Sequence, residues 1–79
     1  MPTVILIGGF RFHFYSDEGQ EPAHIHVRSA EGECKFWLEP VIILAYNRGV
    51  RGHELREIER LVYENHATLR KAFYDYHHR

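Results

Sequence analysis

Residues 24–39, HIHVRSAEGECKFWLE, alternate apolar and polar side chains on both sides of a central turn. In the first half, Ile25 and Val27 alternate with two histidines and an arginine. In the second half the apolar positions are Cys34, Phe36 and Leu38. Alternation with a period of two is typical of a strand that is buried on one face. The stretch therefore predicts a β-hairpin.

The hairpin is expected to turn at residues 31 and 32, Glu-Gly, because hairpins favour a two-residue turn with glycine in second position. A three-residue turn would mix the apolar and polar faces of the two strands. The predicted polar face then pairs three sets of residues across the strands: Arg28 with Lys35, His26 with Trp37, and His24 with Glu39.

Three further strands are predicted outside the hairpin. Residues 4–7, VILI, and residues 10–15, FRFHFY, precede it, and residues 41–44, VIIL, follow it. The polar residues 16–23, which include a glycine and a proline, and residues 45–52, AYNRGVRG, are predicted to be loops. The first half of the chain is thus rich in strands.

The second half of the chain is predicted to be helical. From His53 onward the apolar residues recur at three- and four-residue spacing, and Asn65 and His66 lie where a kink or a contact is expected. The predicted architecture is a single α+β domain over residues 1–79. It has a mostly antiparallel sheet of three to five strands and one long C-terminal helix packed on one face.

Composition narrows the function classes. The chain has 79 residues, of which 44% are hydrophobic, and it has a net charge of −1, so a globular domain without a global nucleic-acid signature is expected. The lone Cys34 excludes an internal disulfide and a cysteine zinc site. A core this small favours self-association, so a homo-oligomer is expected. The sequence shows no basic leader and no membrane-length apolar run, which favours the cytoplasm and no membrane contact.

The polar face of the predicted sheet is the candidate functional surface. One helix covers only one face of a sheet, so the other face is expected to be open. It would carry three histidines together with basic and aromatic residues and one carboxylate: Arg11, His13, Tyr15, His24, His26, Arg28, Lys35, Trp37 and Glu39.

This surface contains the groups that a small, metal-independent ribonuclease needs. His24 and His26 are the candidate acid and base, and Glu39 would orient His24 from the opposite strand. The candidate substrate-binding residues would hold phosphate or stack on bases, and they are His13, Tyr15, Arg28, Lys35 and Trp37.

Two other functions are compatible with the same residues. Aromatic residues and arginine are enriched in protein interfaces, so the face could dock a partner protein without catalysis. His24 and His26, about 6–7 Å apart on one strand face, could instead bind a metal with His13 as third ligand, although no cofactor is expected. The His-x-His spacing also occurs in cupins and, with a third histidine, in histidine-triad hydrolases, but this chain is too short for either fold.

The stretches IGGFRFHFYSDEGQEPAHIHV, KFWLEP and ELREIERLVYENHATLRKAFYDY resemble a small prokaryotic family that is classified as a domain of unknown function. The resemblance covers nearly the whole chain and implies a compact α+β domain. It also implies a setting in toxin–antitoxin-like gene pairs, with a small cognate protein encoded nearby. The family has no established catalytic residues. The expected function is therefore a component of a toxin–antitoxin-like module that acts on RNA or on a protein partner through the polar face.

Overall fold

A computed structural model describes residues 4–77 of the chain as a sheet followed by two helices. The five strands form an antiparallel meander in which each strand pairs with its neighbours in sequence. The elements are β1 (Val4–Ile7), β2 (Phe10–His13), β3 (His24–Arg28), β4 (Glu33–Trp37), β5 (Ile43–Arg48), α1 (Gly52–Glu64) and α2 (His66–Tyr76), with a 3₁₀ turn at Ser16–Glu18. The predicted α+β class with a small antiparallel sheet is confirmed.

The apolar core forms between one face of the sheet and the two helices. The strands contribute their alternate apolar residues, among them Phe12, Ile25, Val27 and Phe36, which are all 0–1% exposed. The helices contribute five buried residues at three- and four-residue spacing to the same cluster: Ile58, Leu61, Val62, Leu69 and Phe73. The period-two and helical patterns of the sequence therefore identify the core face of each element.

The C-terminal region is helical, as predicted, but it comprises two helices, divided at Asn65, where the sequence indicated a kink or a contact. The backbone there has φ −114° and ψ 21°, and the Asn65 side-chain Nδ2 donates a hydrogen bond to the Leu61 carbonyl, 2.9 Å away. The next residue, His66, donates from Nε2 to the Leu38 carbonyl at 2.7 Å. Polar contacts of these two residues thus redirect the chain. Within the described residues, neither helix is long and apolar enough to cross a membrane.

The predicted register of the hairpin is shifted by two residues. On the apolar face Val27 pairs with Cys34, and Ile25 pairs with Phe36. The turn comprises residues 29–32, and the backbone N–H of Ser29 donates to the Gly32 carbonyl at 2.9 Å. A shift of two keeps every side chain on its predicted face but changes its partner. The polar pairs are Arg28 with Glu33, His26 with Lys35, and His24 with Trp37.

The role of Gly32 explains the error in the turn. A two-residue type I′ turn needs positive φ at both central residues, whereas the positive φ angles of the described residues occur only at Gly8, Gly9 and Gly49. A Cβ atom at Gly32 would lie 2.2 Å from the carbonyl oxygen of Arg48. Glycine is required at this position because the backbone after β5 crosses directly over it.

Strand β5 begins and ends later than predicted. Residues 45–48, which were expected in a loop, belong to the strand, because Lys35 pairs with Tyr46 while Phe36 pairs with Leu44. Ala45 is the extra residue of a β-bulge at this shift. A bulge interrupts the alternation of side chains, so the period-two pattern does not continue through this segment.

The sheet face opposite the helices is not open, contrary to expectation. Four of its predicted surface residues are at most 8% exposed: His13, His24, His26 and Lys35. The loop between β2 and β3 folds over them and bonds to them through Glu18 and Glu21. Strand β3 is consequently buried on both faces from His24 to Val27.

We predict that Gly32→Ala lowers the free energy of unfolding by about 1–3 kcal/mol, because the added methyl group has no space beside the Arg48 carbonyl. Urea denaturation measures the change. Gly52→Ala is the matched control, since its Cβ would meet only the Arg56 guanidinium at 3.7 Å. Equal stability of the Gly32→Ala variant and the wild type would contradict the close approach.

We predict that Cys34 does not react with thiol reagents at pH 8 in the folded protein. The side chain is fully buried, and burial raises the pKa of its thiol to about 12, so the reactive thiolate is scarce and enclosed. Labelling is expected only in denaturant, with one thiol per chain. Rapid labelling without denaturant would show that the sheet opens.

Candidate functional site

The candidate site is centred on one carboxylate oxygen that meets two buried imidazoles. Oε1 of Glu18 lies 2.7 Å from Nε2 of His24 and 2.7 Å from Nε2 of His26. The two histidines are adjacent on one face of β3, and Glu18 is the last residue of the 3₁₀ turn that folds over this face. The histidine side chains are 0% and 1% exposed, whereas that of Glu18 is 20% exposed. Solvent therefore reaches the centre from the side of Glu18.

His24 faces an acceptor at each ring nitrogen. Its Nδ1 lies 2.9 Å from the Pro22 carbonyl oxygen, which can only accept, and its Nε2 faces the Glu18 carboxylate. A neutral imidazole carries one N–H and one lone pair. The bond to Pro22 fixes the proton on Nδ1, so in a neutral ring the lone pair of Nε2 points at Glu18. This contact requires a positive charge, either a second proton or a cation.

His26 also faces a polar group at each ring nitrogen, but the groups at Nδ1 do not fix the position of its proton as the Pro22 carbonyl does for His24. Its Nδ1 is 3.3 Å from Oε2 of Glu33 and 3.3 Å from the hydroxyl of Tyr46, which can donate or accept. Oε2 of Glu33 also accepts a hydrogen bond from the Tyr15 hydroxyl at 3.0 Å. Glu33 thus supports the ring of His26 from the side opposite Glu18.

The burial of these groups shifts their pKa values. Burial lowers the pKa of His26, although the hydrogen bond to Glu18 acts in the opposite direction. Burial alone would raise the pKa of Glu18, but the hydrogen bonds from His26 and His24 outweigh it and hold the pKa below the usual value. Burial, followed by Glu33, raises the pKa of Tyr15 and of Tyr46. At neutral pH the carboxylate is therefore ionised and both phenols are protonated.

Glu18, His24 and His26 form the metal-capable cluster of the described residues. Their ligand atoms, one from each residue, all lie within 4.8 Å of one another. His13, which was the expected third ligand, lies outside this cluster. Its ring stacks on His26 with centroids 5.6 Å apart, and its Nε2 is 3.6 Å from Glu33. The two predicted histidines thus converge with a carboxylate from the loop.

Glu39 does not orient His24, because the shifted register places Trp37 opposite that histidine. The Glu39 carboxylate instead accepts a hydrogen bond from the hydroxyl of Tyr74 on α2, 2.5 Å away, and lies 3.8 Å from Arg70. Among the described residues, the carboxylate that bonds to His24 is Glu18. The structure therefore does not bring Glu39 next to the two histidines of the predicted acid–base site.

The predicted substrate-binding residues have different environments. Lys35 is buried. Its ammonium group bonds to Glu21 at 2.8 Å and lies over the ring of Trp37 at 4.3 Å, so its positive charge is balanced within the fold. Tyr15 packs edge-on against His26, with centroids 4.5 Å apart. Arg28 is 54% exposed and bonds to Glu33 at 2.9 Å. Of the two predicted cationic residues, Arg28 is exposed to solvent and Lys35 is not.

An arginine row, consisting of Arg11, Arg28 and Arg48, crosses the sheet beside the histidines. Arg11 pairs with Arg28, Arg28 with Glu33, and Glu33 with Arg48, so all four lie on one face in successive strands. The three arginines are exposed. Like charges directly opposite each other destabilise a sheet, and Glu33 is the one carboxylate within the row.

Sequence reasoning missed the acidic half of the site. Glu18 and Glu21 lie in a segment that was predicted only as a polar loop, and loops lack the periodicity that assigns side chains to a face. Glu33 was missed because the predicted register gave it no polar partner. The available signal was the cluster of acidic residues directly before a His-x-His strand.

Comparison with known proteins identifies the family but not the activity. No match was found among curated proteins or among solved structures. A family model described as a domain of unknown function, DUF4160, matches residues 9–74. This segment contains β2 to β5, both loop carboxylates and nearly all of the two helices. The chain therefore belongs to the DUF4160 family.

Proposed function

We propose that the protein binds RNA through the arginine row and acts as a component of a toxin–antitoxin-like module. The observation that carries this proposal is the row itself, in which three exposed arginines and a single carboxylate lie side by side on four successive strands. Adjacent strands are about 4.8 Å apart, so the row extends over three strand spacings. Arginine is well suited to phosphate because its planar group forms two parallel hydrogen bonds.

The charge of the row favours an anionic ligand. Arg11 makes no ion pair with any described residue, and it stands directly opposite Arg28. Arg48 stacks on the ring of Tyr46 at 4.5 Å and likewise has no acidic partner among residues 4–77. A phosphate backbone would relieve the repulsion between these side chains. The toxin–antitoxin setting rests on the sequence resemblance alone.

The geometry supports RNA binding more than cleavage by His24 and His26 acting directly as acid and base. General acid–base catalysis needs each nitrogen within hydrogen-bond reach of the substrate, and both rings are enclosed. The Glu18 carboxylate is already hydrogen-bonded to Nε2 of each ring. An endoribonuclease mechanism of that kind would require the loop to open.

We predict that Arg11→Ala weakens binding of a single-stranded RNA oligomer and lowers the salt dependence of binding. Loss of one phosphate contact is expected to reduce the slope of log K against log salt by about 0.7. Fluorescence anisotropy at several salt concentrations measures both quantities.

Arg56→Ala is the matched control, because Arg56 is also exposed and lies on α1. It removes the same charge and should leave the slope unchanged. Absence of binding at low salt, or an equal effect of the two variants, would refute the role of the row.

We predict that expression of the protein without its neighbouring gene slows bacterial growth and that Arg11→Ala relieves this effect. Growth curves with and without the neighbouring gene provide the measurement. Arg56→Ala should remain as inhibitory as the wild type. If the wild type does not inhibit growth under strong induction, the toxin role is lost, while RNA binding is still decided by anisotropy.

A protein partner is the second candidate, and strand β5 favours it. β5 is an edge strand of the sheet, and the apolar side chains at and before it are well exposed: Val41 at 55%, Ile43 at 54% and Leu44 at 39%. An exposed apolar edge strand readily pairs with another strand. The occupant that fits the predicted homo-oligomer is β5 of a second copy.

We predict that the wild type is a dimer and that Ile43→Lys converts it to a monomer, since an edge lysine opposes strand pairing. Light scattering coupled to size-exclusion chromatography measures the mass. Tyr63→Lys, which alters a similarly exposed residue on α1, should leave the dimer intact. A monomeric wild type would exclude pairing through β5.

A further inference from the structure

We propose that Glu18, His24 and His26 bind one divalent transition-metal ion. The proposal concerns a site separate from the arginine row and does not depend on RNA binding. Two histidine nitrogens from β3 and one carboxylate oxygen from the 3₁₀ turn lie within 4.8 Å of one another. Two histidines and a glutamate are a ligand set of catalytic zinc sites, which keep a further position for water or substrate.

The hydrogen bonds behind the ligands provide the main argument. Nδ1 of His24 donates a hydrogen bond to the Pro22 carbonyl, so in the neutral ring the Nε2 lone pair is directed at the Glu18 oxygen. Metal-binding histidines characteristically donate their other N–H to a carbonyl or carboxylate in this way. A divalent cation that replaces the second proton of this contact would form coordination bonds to both Nε2 and Oε1.

The partner of His26 follows the same rule. Its Nδ1 faces the carboxylate of Glu33, which is held in place by Tyr15 and Arg28. A carboxylate behind a metal-binding imidazole fixes the ring and increases its basicity. Both histidines therefore present Nε2 to the centre, and both have an acceptor on Nδ1.

The spacing of the ligands requires only a small adjustment. With metal–ligand bonds of about 2.0–2.2 Å at tetrahedral angles, ligand atoms lie roughly 3.3 Å apart. The two Oε1–Nε2 distances are 2.7 Å, so Glu18 would withdraw by roughly half an ångström. Glu18 lies on a loop and is the most exposed of the three, so this movement is available to it.

The position of the site indicates what the ion could bind. The two histidines form the buried side of the site, and the partly exposed Glu18 lies on the side that faces solvent. Two nitrogen ligands and one oxygen ligand suit zinc and its neighbours in the first transition row better than calcium or magnesium, which take oxygen ligands. A water molecule or an anion would complete the coordination from the solvent side.

The test is metal binding by the full-length protein after removal of metal with a chelator. Titration with Co²⁺, followed by its visible absorption, and with Zn²⁺, followed by calorimetry, is expected to give one ion per chain. His24→Ala and His26→Ala should each weaken binding by more than about 100-fold, and Glu33→Gln, which removes the charge facing Nδ1 of His26, by about 10–100-fold.

Two further variants make the result decisive. Glu18→Gln keeps the shape of the side chain and weakens a charged ligand, so it tests the site even if an alanine variant fails to fold, with circular dichroism confirming the fold. His53→Ala removes an exposed histidine on α1, outside the cluster, and should bind the ion as the wild type does. Absence of binding by the wild type at millimolar Zn²⁺ would overturn the proposal, and so would undiminished binding by the folded Glu18→Gln protein.

Discussion

The carboxylate of Glu18 is the group on which the arrangement of the polar face depends. It joins a loop to two adjacent histidines of the central strand at 2.7 Å each. An unpaired buried polar group costs free energy on the order of a hydrogen bond or more. Without Glu18 the loop would lose its main attachment to β3, and His24 and His26 would be buried without their acidic partner.

This attachment gives a small chain a second layer over its sheet. The helices provide the apolar layer on one face, where Ile58, Val62 and Leu69 are fully buried. On the other face, within residues 4–77, the covering layer is the loop between β2 and β3, fixed by the pairs Glu18–His24, Glu18–His26 and Glu21–Lys35. Such a polar layer depends on the partners of each group, so a single substitution in it affects several contacts.

The features that follow from periodicity could be predicted from the sequence. The faces of β2, β3 and β4 are as predicted because a register shift of two residues preserves them. Because a shift of two residues preserves the faces, the alternation pattern could not reveal it. The pattern fits the pairing of His24 with Glu39 as well as its pairing with Trp37. Only the geometry of the turn decides between them, and that geometry depends on how closely Arg48 approaches Gly32.

The part of the site that could not be predicted comes from segments without a period. His24 and His26 were identified because a strand places them on one face, and Arg28 was identified for the same reason. Their acidic partner Glu18 comes from a loop, whose path is fixed only by tertiary contacts. The division of the helix at Asn65 was only partly predictable. The polar residues Asn65 and His66 indicated a kink or a contact, but the spacing of apolar residues continues through them, and the bonds to Leu61 and Leu38 are visible only in the structure.

Glu33 links the two functional proposals physically. One of its oxygens accepts a hydrogen bond from Arg28, and the other faces His26 and Tyr15. Arg28 lies two residues beyond His26 on the same strand face, roughly 6–7 Å along the strand. An anion that bound Arg28 in place of Glu33 would remove the positive charge that the Glu33 carboxylate now faces. Glu33 would then interact more strongly with His26 and would make that imidazole a stronger ligand or base. We therefore expect an anion bound at the arginine row to affect the histidine centre through the Glu33 carboxylate.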